Sequence, residues 1–189
     1  MEKERFQSSE TAVIVVDMQK DFCYEQGTLY IGESARKIIP NVRKLLEKAF
    51  SAKVFTIFTQ DWHDEDDDEF KYWPKHCIKQ SEGAEIVYEL ADFAEKSEII
   101  RKKRYSAFFK TNLEDILTDK KIKTLIITGV ATNICVMHTA IDAFMRGLSV
   151  VVPHDCTATL GKYEQEYAMH HIKNVLSGKV IRSDDILFI

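Results

Sequence analysis

Five short runs of apolar, mostly β-branched residues recur along the chain. They are TAVIVV from residue 11, VFTIFT from 54, EIIRK from 98, TLIIT from 124 and SVVVP from 149. Each has the length and composition of a buried β-strand, and KVIR at 179–182 fits a last short strand. Apolar positions follow helical spacing instead over four other segments, which are 34–50, 112–118, 135–147 and 163–176.

The order of these segments predicts the fold class. Strands that are apolar throughout, rather than alternately, are typical of a parallel sheet buried on both faces. We therefore predict one α/β domain over 1–189, doubly wound and Rossmann-like, with a mainly parallel six-stranded sheet and helices on both faces. Thr111 or Asn112 is expected to cap the second helix, and Gly147 and Gly178 lie where later helices should end.

Composition and charge limit the possible partners. Of the 189 residues, 45% are hydrophobic and 30% charged, which is ordinary for a soluble globular protein. The net charge of −4 without a basic block argues against nucleic acid and anionic membranes. The segment MEKERFQSSETAV lacks a signal-peptide core, and no apolar run reaches the roughly 18 residues that span a bilayer. We expect a cytoplasmic homo-oligomer that acts on a small molecule.

The four cysteines are spaced for neither a zinc site nor a disulfide framework. They lack CxxC pairing, and disulfides are rare in the expected cytoplasmic setting. They are Cys23, Cys77, Cys135 and Cys156.

Chemically useful side chains follow four of the predicted strands. Asp17 follows the first, Asp61 and His63 the second, the pair Lys102 and Lys103 the third, and Cys135 the fourth. Ligands of open parallel sheets bind beyond the carboxyl ends of the strands, where these groups should meet. One such aspartate is commonly a turn residue, but four coincident strand ends predict a site.

A thiol, a lysine and a carboxylate together can perform nucleophilic catalysis. Cys135 opens a helix, where partial positive charge favours a thiolate, although a buried cysteine is also a common core residue. A lysine would favour the thiolate further, and a carboxylate can accept and return its proton. His138 is an alternative base, but its side chain leaves the helix body rather than the strand edge.

The irregular stretch 60–97 contains candidate metal ligands. Asp61 and His63 are two residues apart in an extended segment, and His76 follows a loop stiffened by Pro74. Two imidazoles with a carboxylate suit zinc, iron or manganese. The acidic run 64–69 would ordinarily be a solvated face, but Glu69 is close enough in sequence to reach the same ion.

Several motifs in order resemble the isochorismatase-like cysteine hydrolases and, among these, the nicotinamidases. The match extends from about residue 11 to 160. The motifs are AVIVVDMQKDF, TQDWH, WPKHC with EGAE, KKRYSAFFKTNL and LIITGVATNICVMHTAIDAFMRGLSVVVPHDC. The Asp, Lys and Cys motifs mark the superfamily, whereas DWH with WPKHC indicates nicotinamidase.

The resemblance implies roles for individual residues. It implies catalytic Asp17, Lys102 and Cys135, with Lys102 preferred to Lys103 because the lysine of the family stands three residues before the tyrosine of YSAF. It also implies a cis peptide at 130–131 that aims the backbone N–H groups of Ala131 and Cys135 at an oxyanion. The implied divalent metal, zinc first and iron or manganese otherwise, is bound by Asp61, His63 and His76.

Two departures from the nicotinamidase pattern affect the loop. Many members carry a further histidine after DWH, where this chain has DEDDDE. Other members use a glutamate seven residues before the last histidine, and Glu69 stands in that position relative to His76. KQSEGAE stands where a Gly-Thr pair is usual, which bears on substrate fit.

The predicted activity is metal-dependent hydrolysis of nicotinamide to nicotinate and ammonia through a cysteine thioester. Phe22, Trp73 and Tyr105 are candidate walls for the aromatic ring. The alternatives are hydrolysis of another small amide, such as a carbamoyl or ureido compound, isochorismatase activity and a binding module without catalysis. Cys135 argues against isochorismatase, and the convergent polar residues argue against a binding module.

Overall fold

A seven-stranded parallel sheet is the centre of the computed structural model, which describes residues 3–189. Its strands are β2 (Thr11–Val16), β3 (Phe55–Asp61), β4 (Glu98–Lys102), β5 (Thr124–Val130), β6 (Ser149–Pro153), β7 (Thr157–Ala158) and β8 (Lys179–Ile181). Six of them follow one another across the sheet in the order β4-β3-β2-β5-β6-β8, and β7 pairs with β5. The six predicted strands are present; the added β7 has only two residues, too few to form a hydrophobic run.

Two further strands join the ends of the described chain. β1 (Glu4–Phe6) and β9 (Ile186–Phe188) pair in parallel as a separate two-stranded sheet. At three residues each, they are too short for a recognisable pattern.

Both faces of the central sheet are covered, as the continuous apolar strands predicted. All six residues of β2 are buried. Val13 and Val15 belong to one hydrophobic cluster, and Ala12, Ile14 and Val16 to the other, because successive strand residues point to opposite faces. The doubly wound α/β architecture is thereby confirmed.

The longer helices agree with their predicted positions. The α-helices are α1 (Lys20–Cys23), α2 (Glu33–Ser51), α3 (Ala91–Ala94), α4 (Leu113–Asp119), α5 (Met137–Met145) and α6 (Lys162–Asn174). α2 packs on one face of the sheet, and α4, α5 and α6 on the other. Among the described residues, no helix is long and apolar enough to cross a membrane.

The predicted helix caps are placed with small differences. Asn112 occupies the N-cap of α4, but the side chain that accepts a hydrogen bond there is Thr111, whose Oγ1 lies 3.3 Å from the backbone N of Leu113. Gly147 lies just beyond α5 with φ +78°, a conformation that favours glycine. Gly178 lies four residues beyond the end of α6.

The turn that leads into α5 is wider than predicted. Thr132–Val136 forms a π-helical turn, so regular α-helix begins only at Met137. Gly129 precedes this turn with φ +103°, and a Cβ there would lie 2.0 Å from the carbonyl O of Val16. A glycine is therefore required for β5 to approach β2 next to Asp17.

Candidate active site

The carboxyl ends of four parallel strands bring the predicted polar residues together. Asp17 directly follows β2, Asp61 ends β3 and Lys102 ends β4. Asp61 and Lys102 are register partners across β3 and β4. Cys135 lies in the π-helical turn after β5. The sequence-predicted convergence at one edge of the sheet is therefore observed.

Lys102 is the centre of this group. Its Nζ lies 2.7 Å from Asp17 Oδ2, 2.6 Å from Asp61 Oδ1 and 3.6 Å from Cys135 Sγ. The residue is only 2% exposed. On the other side of Asp17, Thr59 Oγ1 donates a 2.5 Å hydrogen bond to Oδ1 and accepts one from the Asp17 backbone N. One buried ammonium thus connects two carboxylates with the thiol.

The alternative residues lie outside this group. Lys103 is on the surface, where it pairs with Asp64. His138 is exposed, with Nδ1 2.8 Å from the carbonyl O of Ile134. Of the two adjacent lysines, the structure therefore places Lys102 at the thiol.

Burial and the buried lysine shift the pKa values of the acids in opposite directions. Burial raises the pKa of Asp17, and Lys102 only partly opposes this. For Asp61, burial also acts upward, but Lys102 together with His63 and His76 holds the pKa below the usual range of an aspartate. Opposed shifts of this kind are typical of an acid–base site, in which Asp17 is the carboxyl better suited to hold a proton.

The pKa of the thiol is governed by the same neighbours. Burial raises the pKa of Cys135 well above its usual value, Lys102 lowers it, and Asp17 and Asp61 raise it further. A thiolate would therefore form when Asp17 takes the thiol proton and Lys102 remains charged. The transfer moves the negative charge from the Asp17 carboxylate to Cys135 Sγ, so that one negative charge stays beside the ammonium.

A second cluster lies on the other side of Asp61. One potential ligand atom from each of Asp61, His63, Glu69 and His76 lies within 4.8 Å of the others, and all four residues are buried. Asp61 Oδ2 is 3.6 Å from His63 Nε2 and 3.7 Å from His76 Nε2. The four predicted metal ligands are thus brought together, and Asp61 connects them with Lys102.

The donor set fits a divalent metal ion. Within residues 3–189, both ring nitrogens of His63 and Oε2 of Glu69 are buried without a hydrogen-bond partner, although burying a polar atom unpaired is costly. His76 Nδ1 lies 2.7 Å from the carbonyl O of Pro74, which leaves Nε2 free to face the cluster. Two imidazoles with two carboxylates suit zinc, iron or manganese.

A single pocket adjoins both clusters. It encloses about 490 Å³, including its open mouth, and its lining includes Cys135, Asp61, Glu69 and His76. All three predicted walls also line it, namely Phe22, Trp73 and Tyr105. Trp73 Nε1 donates a 3.0 Å hydrogen bond to the Tyr105 hydroxyl, which fixes the two rings relative to each other.

The start of the π-helical turn faces the same pocket. The peptide bond between Val130 and Ala131 is cis, as the resemblance implied. Ala131 and Cys135 both line the pocket. The oxyanion role of their backbone N–H groups stays a prediction.

Several residues of the site were not identified from the sequence. The missed apolar lining consists of Leu29, Ile31, Val130, Ile134 and Leu160. Gln19 was also missed: its amide bonds both the backbone O and the backbone N of Asp61. Thr59 could have been found, because it lies two residues before Asp61 on β3 and strand residues two apart share a face.

The chain matches the family model of the isochorismatase domain over residues 11–185. The crystal structure of nicotinamidase PncA from Bacillus subtilis superposes with a TM-score of 0.88 at 33% identity, covering 92% of this chain and 99% of the other. The pyrazinamidase of Pyrococcus horikoshii, solved in complex with zinc, gives 0.85 at 35% identity, with coverage of 92% and 99%.

A further relative has another named activity. The ureidoacrylate amidohydrolase RutB of Rhizobium rhizogenes (strain K84) is 32% identical over 177 residues, which cover 81% of this chain and 72% of that protein.

Fold, site and similarity together define an enzyme of the hydrolase class. The chain belongs to the isochorismatase family. The predictions of family, fold class and hydrolytic enzyme are thereby confirmed, and the relatives named above include amidohydrolases.

Proposed function

We propose that the protein is a metal-dependent amidase that hydrolyses nicotinamide to nicotinate and ammonia. One observation carries the proposal: a thiol held by a buried lysine shares a pocket with a four-residue metal cluster, and Asp61 belongs to both groups. A carbamoyl hydrolase needs the thiol, the lysine and the acid, but it has no need of an ion that holds a pyridine ring.

In the proposed reaction, Asp17 removes the thiol proton and Lys102 holds the resulting thiolate. Cys135 Sγ then attacks the amide carbonyl carbon, while the backbone N–H groups of Ala131 and Cys135 stabilise the oxyanion. Asp17 returns its proton to the amide nitrogen as the C–N bond breaks and ammonia leaves. A carboxylate oxygen of Asp17 lies within 4.8 Å of Cys135 Sγ, and this proximity and the 2.7 Å Lys102–Asp17 contact support these roles.

The second half of the reaction hydrolyses the thioester. Asp17 accepts a proton from a water molecule, whose oxygen attacks the acyl carbon. As the C–S bond breaks, nicotinic acid leaves and loses its proton to solvent as nicotinate, and Asp17 returns its proton to the Cys135 thiolate. A divalent ion held by Asp61, His63, Glu69 and His76 would offer a coordination position for the pyridine nitrogen. Phe22, Trp73 and Tyr105 would then enclose the flat ring.

A second candidate keeps the thiol chemistry and changes the substrate. The similarity to the ureidoacrylate amidohydrolase RutB favours a ureido or carbamoyl compound. Isochorismatase activity is disfavoured because it leaves the buried Cys135–Lys102 contact without a function.

The cellular setting is also proposed. Hydrolysis of nicotinamide in the cytoplasm would return the pyridine ring to NAD salvage. A homo-oligomeric state stays a prediction, to be checked by sedimentation.

The decisive experiment measures ammonia release from nicotinamide, pyrazinamide and N-carbamoyl compounds, before and after chelation and zinc restoration. We expect preference for the two ring amides, loss of activity on chelation, recovery with zinc, and near-stoichiometric metal in the purified protein. Preference for a carbamoyl compound that persists after chelation would overturn the nicotinamide assignment in favour of the second candidate.

A further inference from the structure

Besides Glu69, a second acid of the run DEDDDE differs from the solvated face expected there. The side chain of Asp67 is only 5% exposed, whereas that of its neighbour Asp68 is 76% exposed and pairs with Lys71. Asp64, with 34% of its side chain exposed, pairs with Lys79 and Lys103. Asp67 therefore has surroundings that these exposed acids lack.

The carboxylate of Asp67 contacts two of the four residues of the metal cluster. Its Oδ2 lies 3.2 Å from Nδ1 of the fully buried His63, at ion-pair distance but without hydrogen-bond geometry, and its Oδ1 accepts a 3.0 Å hydrogen bond from the backbone N of Glu69. The second contact caps the 3₁₀ turn Asp68–Lys71, which carries Glu69. One side chain thus connects the imidazole of one candidate ligand with the backbone of another.

Arg104 contacts the same carboxylate of Asp67. Its Nη1 lies 2.9 Å from Asp67 Oδ1 and 3.6 Å from Glu69 Oε2. Arg104 follows β4 two residues after Lys102. The end of this strand therefore carries both the cation beside the thiol and the cation beside Asp67 and Glu69. The arginine offsets the mutual repulsion of the two carboxylates.

The contact to His63 has a specific consequence for a metal ion. A histidine that binds a metal through one nitrogen usually donates its other N–H to a carboxylate or carbonyl, which fixes the tautomer and the ring orientation. A proton on His63 Nδ1 would leave the lone pair on Nε2, which faces Asp61 Oδ2. The carbonyl of Pro74 has the same relation to His76.

We propose that Asp67, held by Arg104, is a positioning residue of the metal centre that orients His63 and Glu69. The inference rests on the proposed function, because it assumes that the four-residue cluster binds a divalent ion. The proposal gives a role to the acidic run 64–69, which stands where many nicotinamidases carry a further histidine.

The test is the zinc affinity of the purified protein, measured by competition with a chromogenic chelator. Asp67→Asn is nearly isosteric, and asparagine caps helical turns as well as aspartate does, so this variant can keep the Glu69 contact while removing the charge beside His63. We expect its zinc affinity to fall about 10- to 100-fold, the usual effect of losing such a partner. The matched control is Asp68→Asn, whose affinity should stay within about twofold because that side chain is exposed.

A second measurement separates positioning from folding. Metal-free Asp67→Asn should unfold at the same urea concentration as metal-free Asp68→Asn, so that the defect appears only with zinc. If Asp67→Asn does not fold, the zinc affinity of Arg104→Gln is measured instead. We expect that affinity to fall about tenfold.

Three results would overturn the proposal. Zinc affinities of Asp67→Asn and Asp68→Asn that agree within twofold, or an unchanged affinity in Arg104→Gln, would refute the positioning role and leave the proposed amidase function intact. Failure of the wild-type protein to bind zinc, iron or manganese would refute both, so the two failures are distinguishable.

Discussion

The two sides of the candidate active site are held in place by different means. The sheet-edge side consists of Asp17, Lys102 and Cys135, which lie at or beyond the carboxyl ends of parallel strands whose register aligns these ends. The loop side consists of His63, Glu69 and His76, which lie in the irregular connection 62–97. Strand pairing aligns the first side, whereas the second depends throughout on buried polar contacts made by residues distant in sequence.

Gln19 and Asp21, two and four residues after Asp17, contact the loop side. The buried Asp21 carboxylate accepts hydrogen bonds from the backbone N of Thr28 and of Cys77, the residue after His76. Gln19 Nε2 donates to the carbonyl oxygens of Asp61 and Ala84, which joins the end of β3 to the far part of the loop. Substitutions on the sheet-edge side should therefore affect chemistry first, and substitutions of loop contacts should affect stability or metal binding first.

The largest expected effect comes from Cys135→Ala. Because the thiol would form the covalent intermediate, we expect kcat to fall by at least about 10⁴-fold, a loss typical of a removed nucleophile. The free energy of unfolding should change by no more than about 1–2 kcal/mol. The matched control is Cys156→Ala, which removes a fully buried thiol outside the pocket and should keep activity. Near wild-type turnover by Cys135→Ala would refute the assignment of the nucleophile.

The second-largest expected effect is the difference between alanine substitutions of two adjacent lysines. Lys102→Ala should lower kcat by orders of magnitude, and it should also destabilise the protein by about 3–5 kcal/mol because two buried carboxylates lose their cation. Lys103→Ala removes only a surface pair, worth about 0–1 kcal/mol. Steady-state rates and urea unfolding of both variants test this prediction. Equal small losses in kcat for the two variants, or a large loss of kcat confined to Lys103→Ala, would refute the choice of Lys102 and shift the register of the site by one residue.

A stability effect of intermediate size tests the loop side. Asp21→Asn keeps the shape of the side chain but turns one acceptor into a donor opposite a backbone N–H. We expect a loss of about 1–3 kcal/mol in the free energy of unfolding, measured with urea. Glu25→Gln, an exposed neighbour, should stay within about 0.5 kcal/mol. Equal stabilities of the two variants would show that Asp21 does not hold the loop.

The smallest expected effect concerns the pocket wall. Trp73→Phe removes the N–H that donates to the Tyr105 hydroxyl, a hydrogen bond worth about 0.5–1.5 kcal/mol. If the two rings enclose the substrate, kcat/KM should fall by up to about tenfold. Tyr72→Phe, at a residue 84% exposed, is the control and should be unchanged. A larger loss in the control would place the substrate elsewhere.

The same contrast explains what the sequence could predict. Continuous apolar runs identified the six main strands, and the rule that ligands bind at their carboxyl ends brought Asp17, Asp61, Lys102 and Cys135 together. No such rule applies to the loop, so the burial of Asp67 could not be predicted: an irregular loop has no periodicity that separates a buried acid from exposed neighbours. The contacts of Gln19 and Asp21 likewise depend on how the 77–84 segment folds back.

The most direct test of the account is to find the covalent intermediate. Acid quenching of the enzyme during turnover of nicotinamide, followed by intact-mass measurement and peptide mapping, should detect one nicotinoyl group on the peptide that contains Cys135, and none in Cys135→Ala. A nicotinoyl group on a peptide without Cys135 would contradict the account, as would undiminished nicotinate formation by enzyme whose Cys135 is fully alkylated.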